Sequence, residues 1–467
     1  MNLKQSRFIK VIFKIPYVDF IFFLGSSFIY YKDSLFLMIA GDDVEHYLHA
    51  PRSIISIIEL FSDVVHFRPV PKIFFTLYTL VPFNLPIFHG VSLLLLSFAT
   101  YLFYIFLIKY VKIEKLIAFI AGLVFMTSHV MFYLVYTLSG IGDILFIIFF
   151  WGSVLCFYSF VKKSEIKNFV LSLVFFLLAM LTKEIFISIL ILISFIALAN
   201  FKKRYLKYLL AFWVPTVLFF IMKFLVYDIS DPVYGYTFDL KLLIENIIHF
   251  SLWTINYRHG WQMGMPYPET TMFFILVILN CILILLSVTF ILKKNKNMAG
   301  FFVIWAFAGL LPFYFLNRVL VYYLDISLMA LISLVAFSLQ NISIVNRKAR
   351  YLLLILWFLL SLFISNEIKG QWLKNSFVAN SIETATNFND QVYESVDWSL
   401  KNTLCISGLG GSESWAVYTG HLIEILSKKN VEIIQVDPKK EISKKCKIID
   451  AVNVLHDGRS FFVKFIN

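Results

Sequence analysis

Long uncharged apolar runs follow one another through most of this chain, and they leave few folds open. A run of about 20 such residues is the length a helix needs to cross a bilayer. In hydrocarbon every backbone polar group must find an internal partner, so continuous runs of this kind must be helices. With 60% hydrophobic and only 15% charged residues, the chain reads as an all-α polytopic membrane protein. A net charge of +12 does not point to nucleic acid, because Lys and Arg fall in clusters between the runs instead of along one stripe.

The runs place spans near 11–31, 86–108, 116–138, 143–161, 168–182, 185–201, 208–227, 271–292, 298–317, 319–340 and 351–366, about 11 transmembrane helices. Basic clusters at Lys4/Arg7/Lys10/Lys14, Lys109/Lys112/Lys115, Lys162/Lys163/Lys167, Lys202/Lys203/Arg204/Lys207, Lys293/Lys294/Lys296 and Arg347/Lys348/Arg350 fall at every second boundary. That asymmetry sets the N-terminus in the cytoplasm, with an uncleaved first span. Between 168 and 201, Lys183 and Glu184 interrupt the apolar stretch without Gly or Pro. Two short spans meeting there keep the flanking clusters on one side, whereas a single long helix would not.

This topology makes 1–366 a transmembrane domain with a large first external loop, 32–85, and 367–467 a small extracytoplasmic α/β domain. In the loop, PRSIISIIELFSDVVHF has the spacing of an interfacial amphipathic helix, and RPVPKIFFTLYTLVPFNLP sets four prolines around an apolar, partly embedded segment. The tail predicts strands at TLCIS and VEIIQV with a helix from Ser412 to Lys428 between them. Its GLGGS, with Asp437 after the next strand, has the outline of a dinucleotide fingerprint. Glu413 occupies the third glycine position, however, and a plain strand-turn-helix is the better account. Cys156 and Cys281 sit in apolar runs as packing residues, while Cys405 and Cys446 are able to pair if the tail lies outside.

Acids are scarce, so their placement carries information. Asp42 and Asp43 stand where the first span emerges, followed by Glu45, His46 and His49. On a helix Asp42, Glu45, His46 and His49 share one face. A solvated helix start, favoured by the helix dipole, and a metal site using the four-residue spacings Asp42/His46 and Glu45/His49 are alternatives to catalysis here. Asp143, in LSGIGDILF, is the sole charge between 116 and 161. It either caps the incoming helix or projects toward Asp42 and Asp43. Lys183 and Glu184 point about 100° apart on a helix and so do not simply neutralise each other. Arg318, Tyr322 and Asp325 fall on one stripe of the tenth span, where a buried Arg–Asp pair holding helices together is the simplest reading. Arg68, flanked by His66 and Pro69, is the remaining cation of note. Carboxylates and cations converging on one membrane face suit chemistry on a substrate with an anionic group such as a lipid phosphate. A transporter would carry ionisable groups near the midplane, where only Asp325 and Lys223 are offered.

The acid pair in the first loop, the FRPVP stretch, the SGIGDIL turn and the LTKE element resemble, in order, the motifs of the GT-C superfamily of membrane glycosyltransferases. The branch with protein O-mannosyltransferases and aminoarabinose transferases is the most similar. NRVLVYYLD is similar to that family's R-Y-x-Y-x-P, with Val319 for the first Tyr and no Pro. Ile141 and Gly142 stand before Asp143 where an Arg is usual. The resemblance covers about 11–340 as order and topology. It implies a glycosyltransferase of the bacterial plasma membrane that moves a sugar from a polyprenyl-phosphate donor to an extracytoplasmic hydroxyl of a lipid, glycan or protein, with inversion. Asp42 would be the base; Asp43 and Asp143 would orient substrate, or hold a divalent cation if one is used. No other cofactor is implied. Lys183, Arg68 and Arg318 would bind the departing phosphate, Glu184 would keep Lys183 charged and placed, and His46 and Tyr322 would support the site. A glycolipid flippase or a polysaccharide polymerase is the alternative.

Overall fold

The structure, a computed structural model, describes residues 17–51, 68–199, 205–226, 235–254, 271–342, 347–436, 446, 451–457 and 460–464. The basic N-terminal segment, almost all of PRSIISIIELFSDVVHF, Lys202 to Arg204 and Asp437 lie outside the described residues.

Each expected span contains a helix. In chain order, α1 is Val18–Tyr30, α2 Asp42–Leu48, α3 Pro69–Thr79, α4 Leu85–Phe106, α5 Lys115–Met126 and α6 Met131–Tyr136. They are followed by α7 Ile141–Lys163, α8 Ile166–Met180, α9 Ile187–Ala199, α10 Leu206–Val226, α11 Leu240–Thr254 and α12 Thr271–Lys294. The last bundle helices are α13 Lys296–Leu310, α14 Asp325–Asn341 and α15 Arg347–Asn375. Among the described residues, six helical stretches are long and apolar enough to cross a membrane, those of α4, α7, α12, α13, α14 and α15. Five more apolar helices, α1, α5, α8, α9 and α10, are shorter. The chain is an integral membrane protein.

Two spans differ from expectation. The third is not one rod over 116–138: it breaks between Met126 and Met131 into α5 and α6. The tenth becomes α-helical only at Asp325, after a short 3-10 turn over Val321–Leu324. By contrast the break at Lys183 is where the charges put it: α8 ends at Met180, Lys183 is extended, and α9 begins at Ile187.

The centre of the bundle is built from α7 and α14, whose side chains are mostly buried. Around Trp151 of α7 the aromatic rings of Phe103, Phe106, Phe150 and Trp305 pack at centroid distances of 4.5 to 5.6 Å. Hydroxyls supply the polar glue expected where lipid gives no hydrophobic drive between helices. Ser27 meets Ser97 at 2.8 Å, and Ser153 and Ser172 each donate to the other's carbonyl. The outer helices leave Ile278, Leu285 and Leu286 of α12 and Leu352 and Leu356 of α15 exposed, the pattern of a lipid-facing surface.

Beyond the bundle, α15 runs past residue 367 without a break to Asn375, and α16 (Phe377–Phe388) is capped by Ser376, whose hydroxyl accepts from the Ala379 N–H. A four-stranded sheet follows, β1 Thr403–Ser407, β2 Glu432–Val436, β3 Ala451–His456 and β4 Phe461–Lys464, in the order β2-β1-β3-β4. β1 pairs in parallel with β2 and β3, and β4 closes the edge antiparallel. Both expected strands are present. The expected helix over 412–428 is broken into α17, Gly411–Ala416, and α18, Leu422–Ser427, because Tyr418 and Thr419 take left-handed φ of 47° and 56°. Cys405 and Cys446 form a disulfide that ties β1 to the segment before β3.

One latch joins the two ends of the chain. The Lys369 ammonium of α15 pairs with Asp33 at 2.7 Å and donates to the Tyr30 carbonyl, and the Tyr136 hydroxyl donates to Asp33 as well. Burial alone would raise the Asp33 pKa, but the hydrogen bond and charge of Lys369 and the Tyr136 hydroxyl outweigh it and hold the carboxyl below its usual range. A group lowered on folding stabilises above its unfolded pKa and loses that contribution as pH falls through the folded one. We therefore expect Asp33→Asn to lower the midpoint of thermal unfolding in detergent by a few degrees at neutral pH, and the gap from wild type to close in acid.

Candidate active site

The site is assembled from the first loop, the ends of three bundle helices and the tail. Gly41 starts it. Its φ of 56° and ψ of −118° suit only glycine, and a Cβ there would overlap the Trp415 indole. Its N–H donates to the Ala416 carbonyl at 3.0 Å, so the loop and α17 of the tail meet backbone to backbone. The Gly41 carbonyl then opens α2 by accepting from Val44 and Glu45.

α2 sends its two aspartates different ways. Asp43 is buried, and its carboxylate accepts from the Leu138 N–H at 2.9 Å and the Ser139 N–H at 2.6 Å. Burial pushes its pKa up to about 6 even though those two N–H groups favour the ionised form, so it remains a carboxylate at neutral pH. Asp43 thus clamps the turn into α7. Asp42 is half-buried and lines the cavity. Its pKa is raised by burial and by Glu45, against a hydrogen bond from Trp415 and the charge of Arg318. A carboxylate with access to a cavity and a raised pKa is equipped to take a proton.

The clamped turn leads into α7, whose first turn carries Asp143. Asp143 forms an ion pair with Lys183, and both side chains are nearly fully buried. The Lys183 ammonium also lies 5.1 Å from the ring centres of Tyr322 and Tyr323, and its charge acts on the buried Asp325. Tyr322 in turn stacks on Tyr133 at 4.5 Å. The Arg318–Asp325 ion pair, the structural alternative to a phosphate-binding Arg318, is not seen among the described residues. With the helix starting only at Asp325, Arg318 lies in the preceding loop and acts on Asp42, while Asp325 faces Lys183.

Cations line the cavity as well. Arg68 precedes α3, whose first turn holds Pro69, Pro71 and Lys72, so the cations there are side chains and not free backbone N–H groups. Gly142 makes room for that turn: a Cβ on it would lie 3.1 Å from Pro71. The Val70 N–H donates to the Leu181 carbonyl at 3.3 Å, fixing α3 to the bend before Lys183. His46 packs its ring on Phe75 at 5.2 Å.

Between these walls lies an open cavity of about 1910 Å³. Of the expected site residues, Asp42, His46, Arg68, Asp143, Lys183 and Tyr322 line it. Asp43 sits beneath it as a clamp, Arg318 stands beside Asp42 without lining it, and the Glu184 side chain lies outside the described residues. Lys72 and Tyr323 were not singled out from sequence, nor were the tail residues that line the cavity, among them Tyr418 and His421. Lys72 was visible in the sequence as the last charge before Lys109.

Fold and site define an integral membrane protein with an acid-and-cation cavity at one end of its helix bundle, covered by a small α/β domain. No protein-family model and no curated protein sequence matches the chain. Among solved structures it is similar to ArnT from Cupriavidus metallidurans bound to undecaprenyl phosphate, at 12% identity over 95% of this chain and 94% of that one, with a TM-score of 0.47. The apo state of the same protein gives 13%, 94%, 92% and 0.46. The archaeal oligosaccharyltransferase AglB from Archaeoglobus fulgidus, in complex with an inhibitory peptide and a dolichol-phosphate, is 12% identical over 96% of this chain and 67% of that one, with a TM-score of 0.46. At this distance the chemistry has to be argued from this chain's own residues.

Asp43→Asn tests the clamp, since an amide accepts at one atom only and leaves a buried N–H of the turn unpaired. The expected cost is about 1–3 kcal/mol, read as lower thermal stability of the purified protein.

Proposed function

We propose that the protein is a glycosyltransferase that moves a sugar from a polyprenyl-phosphate donor to a hydroxyl of an extracytoplasmic acceptor. The observation that carries this reading is the cavity itself, lined by the Asp42 carboxylate and by Arg68 and Lys72 at the start of α3. Such a lining serves a displacement in which charge passes from the acceptor to the leaving phosphate. Asp42 takes the acceptor proton, the acceptor oxygen bonds to the anomeric carbon, and the bond to the phosphate oxygen breaks. The negative charge developing on the polyprenyl phosphate is met by fixed cations. Attack opposite the leaving phosphate inverts the anomeric centre. The order of motifs along the chain, which resembles that of GT-C enzymes, supports the same reading.

The roles of the other residues follow from their partners. Asp143 neutralises Lys183, which weakens Lys183 as a phosphate ligand and ties it to Asp143 and Asp325. A divalent ion shared by Asp42, Asp43 and Asp143 does not suit this donor set. Both Asp43 oxygens accept backbone N–H groups and Asp143 is held by a lysine. Among the described residues no three acid, His or Cys side chains cluster as metal ligands. We place the cavity and the tail outside the cell, on the topology expected from the basic clusters, and the Cys405–Cys446 disulfide, which suits an oxidising compartment, supports that side.

Purified protein in detergent, given a panel of polyprenyl-phosphate sugars, separates the enzyme from a flippase, which does nothing without two compartments. Asp42→Asn is expected to cut donor turnover by about 100-fold or more, and wild-type-like turnover would remove Asp42 from the base role. Arg68→Ala should raise the donor KM more than it lowers kcat. Because the Asp42 pKa is raised and the base must be ionised, turnover should fall with acid at a midpoint above the usual carboxylate range. A chelator should leave turnover unchanged.

A further inference from the structure

The tail supplies a stretch of cavity wall that the donor chemistry leaves unused. A cavity of about 1910 Å³ is larger than the roughly 300–1,000 Å³ that holds one small ligand, so a second substrate has room beside the donor. His421, Glu424, Ile425 and Lys428 line it from the tail, three or four residues apart on α18 and its two flanking positions, and so on one face. Tyr418 joins them through a costly backbone: Tyr418, Thr419 and Gly420 follow one another at φ of 47°, 56° and 104°. Two of the three are not glycine, and strain of this kind persists where the surroundings hold it, often beside a ligand.

The His421 Nδ1 lies 3.0 Å from Glu424 Oε2, and Glu424 Oε1 accepts the Val431 N–H at 3.3 Å. A carboxylate only accepts, so Nδ1 is the donor, and in the neutral ring the lone pair lies on Nε2. Glu424 thereby sets both the tautomer and the orientation of His421. The Tyr418 ring centre is 6.0 Å from that of His421 and 6.1 Å from that of His49 at the end of α2. An anionic ligand on this wall would meet the Glu424 and Glu45 carboxylates, and the Lys429 ammonium is already taken by the Trp398 and Ser399 carbonyls. A peptide is recognised through a sheet edge or apolar anchors. Among the described residues, none of the tail strands lines the cavity, and Ile425 is the one aliphatic side chain the tail gives it. A neutral sugar suits the wall better: its hydroxyls pair with fixed polar groups, and its C–H face packs on the electron-rich face of an aromatic ring.

We propose that Tyr418, His421 and Glu424 form a subsite for a sugar unit of the acceptor, so that the acceptor is a glycan. His421 Nε2 accepts a hydrogen bond from a sugar hydroxyl, Tyr418 carries a C–H face, and Glu424 is a positioning residue for His421. The inference rests on the glycosyl-transfer reading for calling this sugar the acceptor, but not for its binding.

Two measurements on the purified full-length protein test it. Diethylpyrocarbonate acylates an imidazole nitrogen with a free lone pair, and mass spectrometry locates the adduct at His421. Neutral oligosaccharides released by mild acid from the envelope of the native cells are expected to slow that acylation several-fold, and tryptic peptides of the same envelope are not. In Tyr418→Leu the protection should be lost while His421 still reacts. Protection by the peptides alone would overturn the assignment to a sugar, and protection by neither would overturn the subsite. With a donor that is turned over, His421→Ala and Glu424→Ala should each raise the oligosaccharide concentration needed for half-maximal transfer about tenfold, with the donor KM little changed. Glu424→Gln, whose side-chain carbonyl still accepts the Nδ1 proton, should recover most of that loss, and a Gln variant as poor as the Ala variant would remove Glu424 from its role. If wild-type protein consumes no donor, the functional reading falls, and the protection of His421 still reports whether a sugar binds there.

Discussion

A buried carboxylate that accepts two backbone N–H groups holds the site together. Asp43 reaches from the first loop to the amides of Leu138 and Ser139, and in doing so fixes the entry of α7 against α2. Everything downstream depends on that register. Asp143 lies in the first turn of α7, Lys183 follows Asp143, and Tyr322, Tyr323 and Asp325 arrange themselves around Lys183. Satisfying two amides in the interior offsets much of the cost of burying the charge. The neighbouring Asp42 keeps its access to the cavity because Asp43 has taken the structural task.

The charges then divide by their exposure. Around Lys183 the ionisable groups are buried and paired, which favours a single fixed geometry. Asp42, Arg68 and Lys72 border the cavity, where an incoming anion or hydroxyl meets them. A fixed buried frame beside charged groups that line the cavity is what a site needs if substrate charge, not protein rearrangement, is to select the binding mode.

Much of this was legible in the chain. Acids are so rare among the apolar runs that Asp42, Asp43 and Asp143 stood out by position, and the Lys183 interruption marked a real break between α8 and α9. What was hidden has physical causes. The partners of Asp43 are main-chain amides, which no side-chain pattern encodes. Arg318 and Asp325 have the spacing of a helical stripe, but the intervening residues are a loop and a 3-10 turn, so the spacing did not translate into contact. Trp415 lies far along the sequence from Gly41, and nothing local to either residue announces that they meet. The left-handed residues Tyr418 and Thr419, neither of them glycine, gave no warning that the tail helix would break there.

The unbroken passage of α15 from the bundle into the tail has a mechanical consequence. A helix of 29 residues is about 43 Å long, so a rotation of about 5° at its N-terminal end sweeps the other end by roughly 4 Å. The Lys369–Asp33 latch sits near that far end and acts as the stop against such a swing. The tail is therefore carried on a lever whose arm lies in lipid, and its fit over the first loop is set by how the membrane seats that arm.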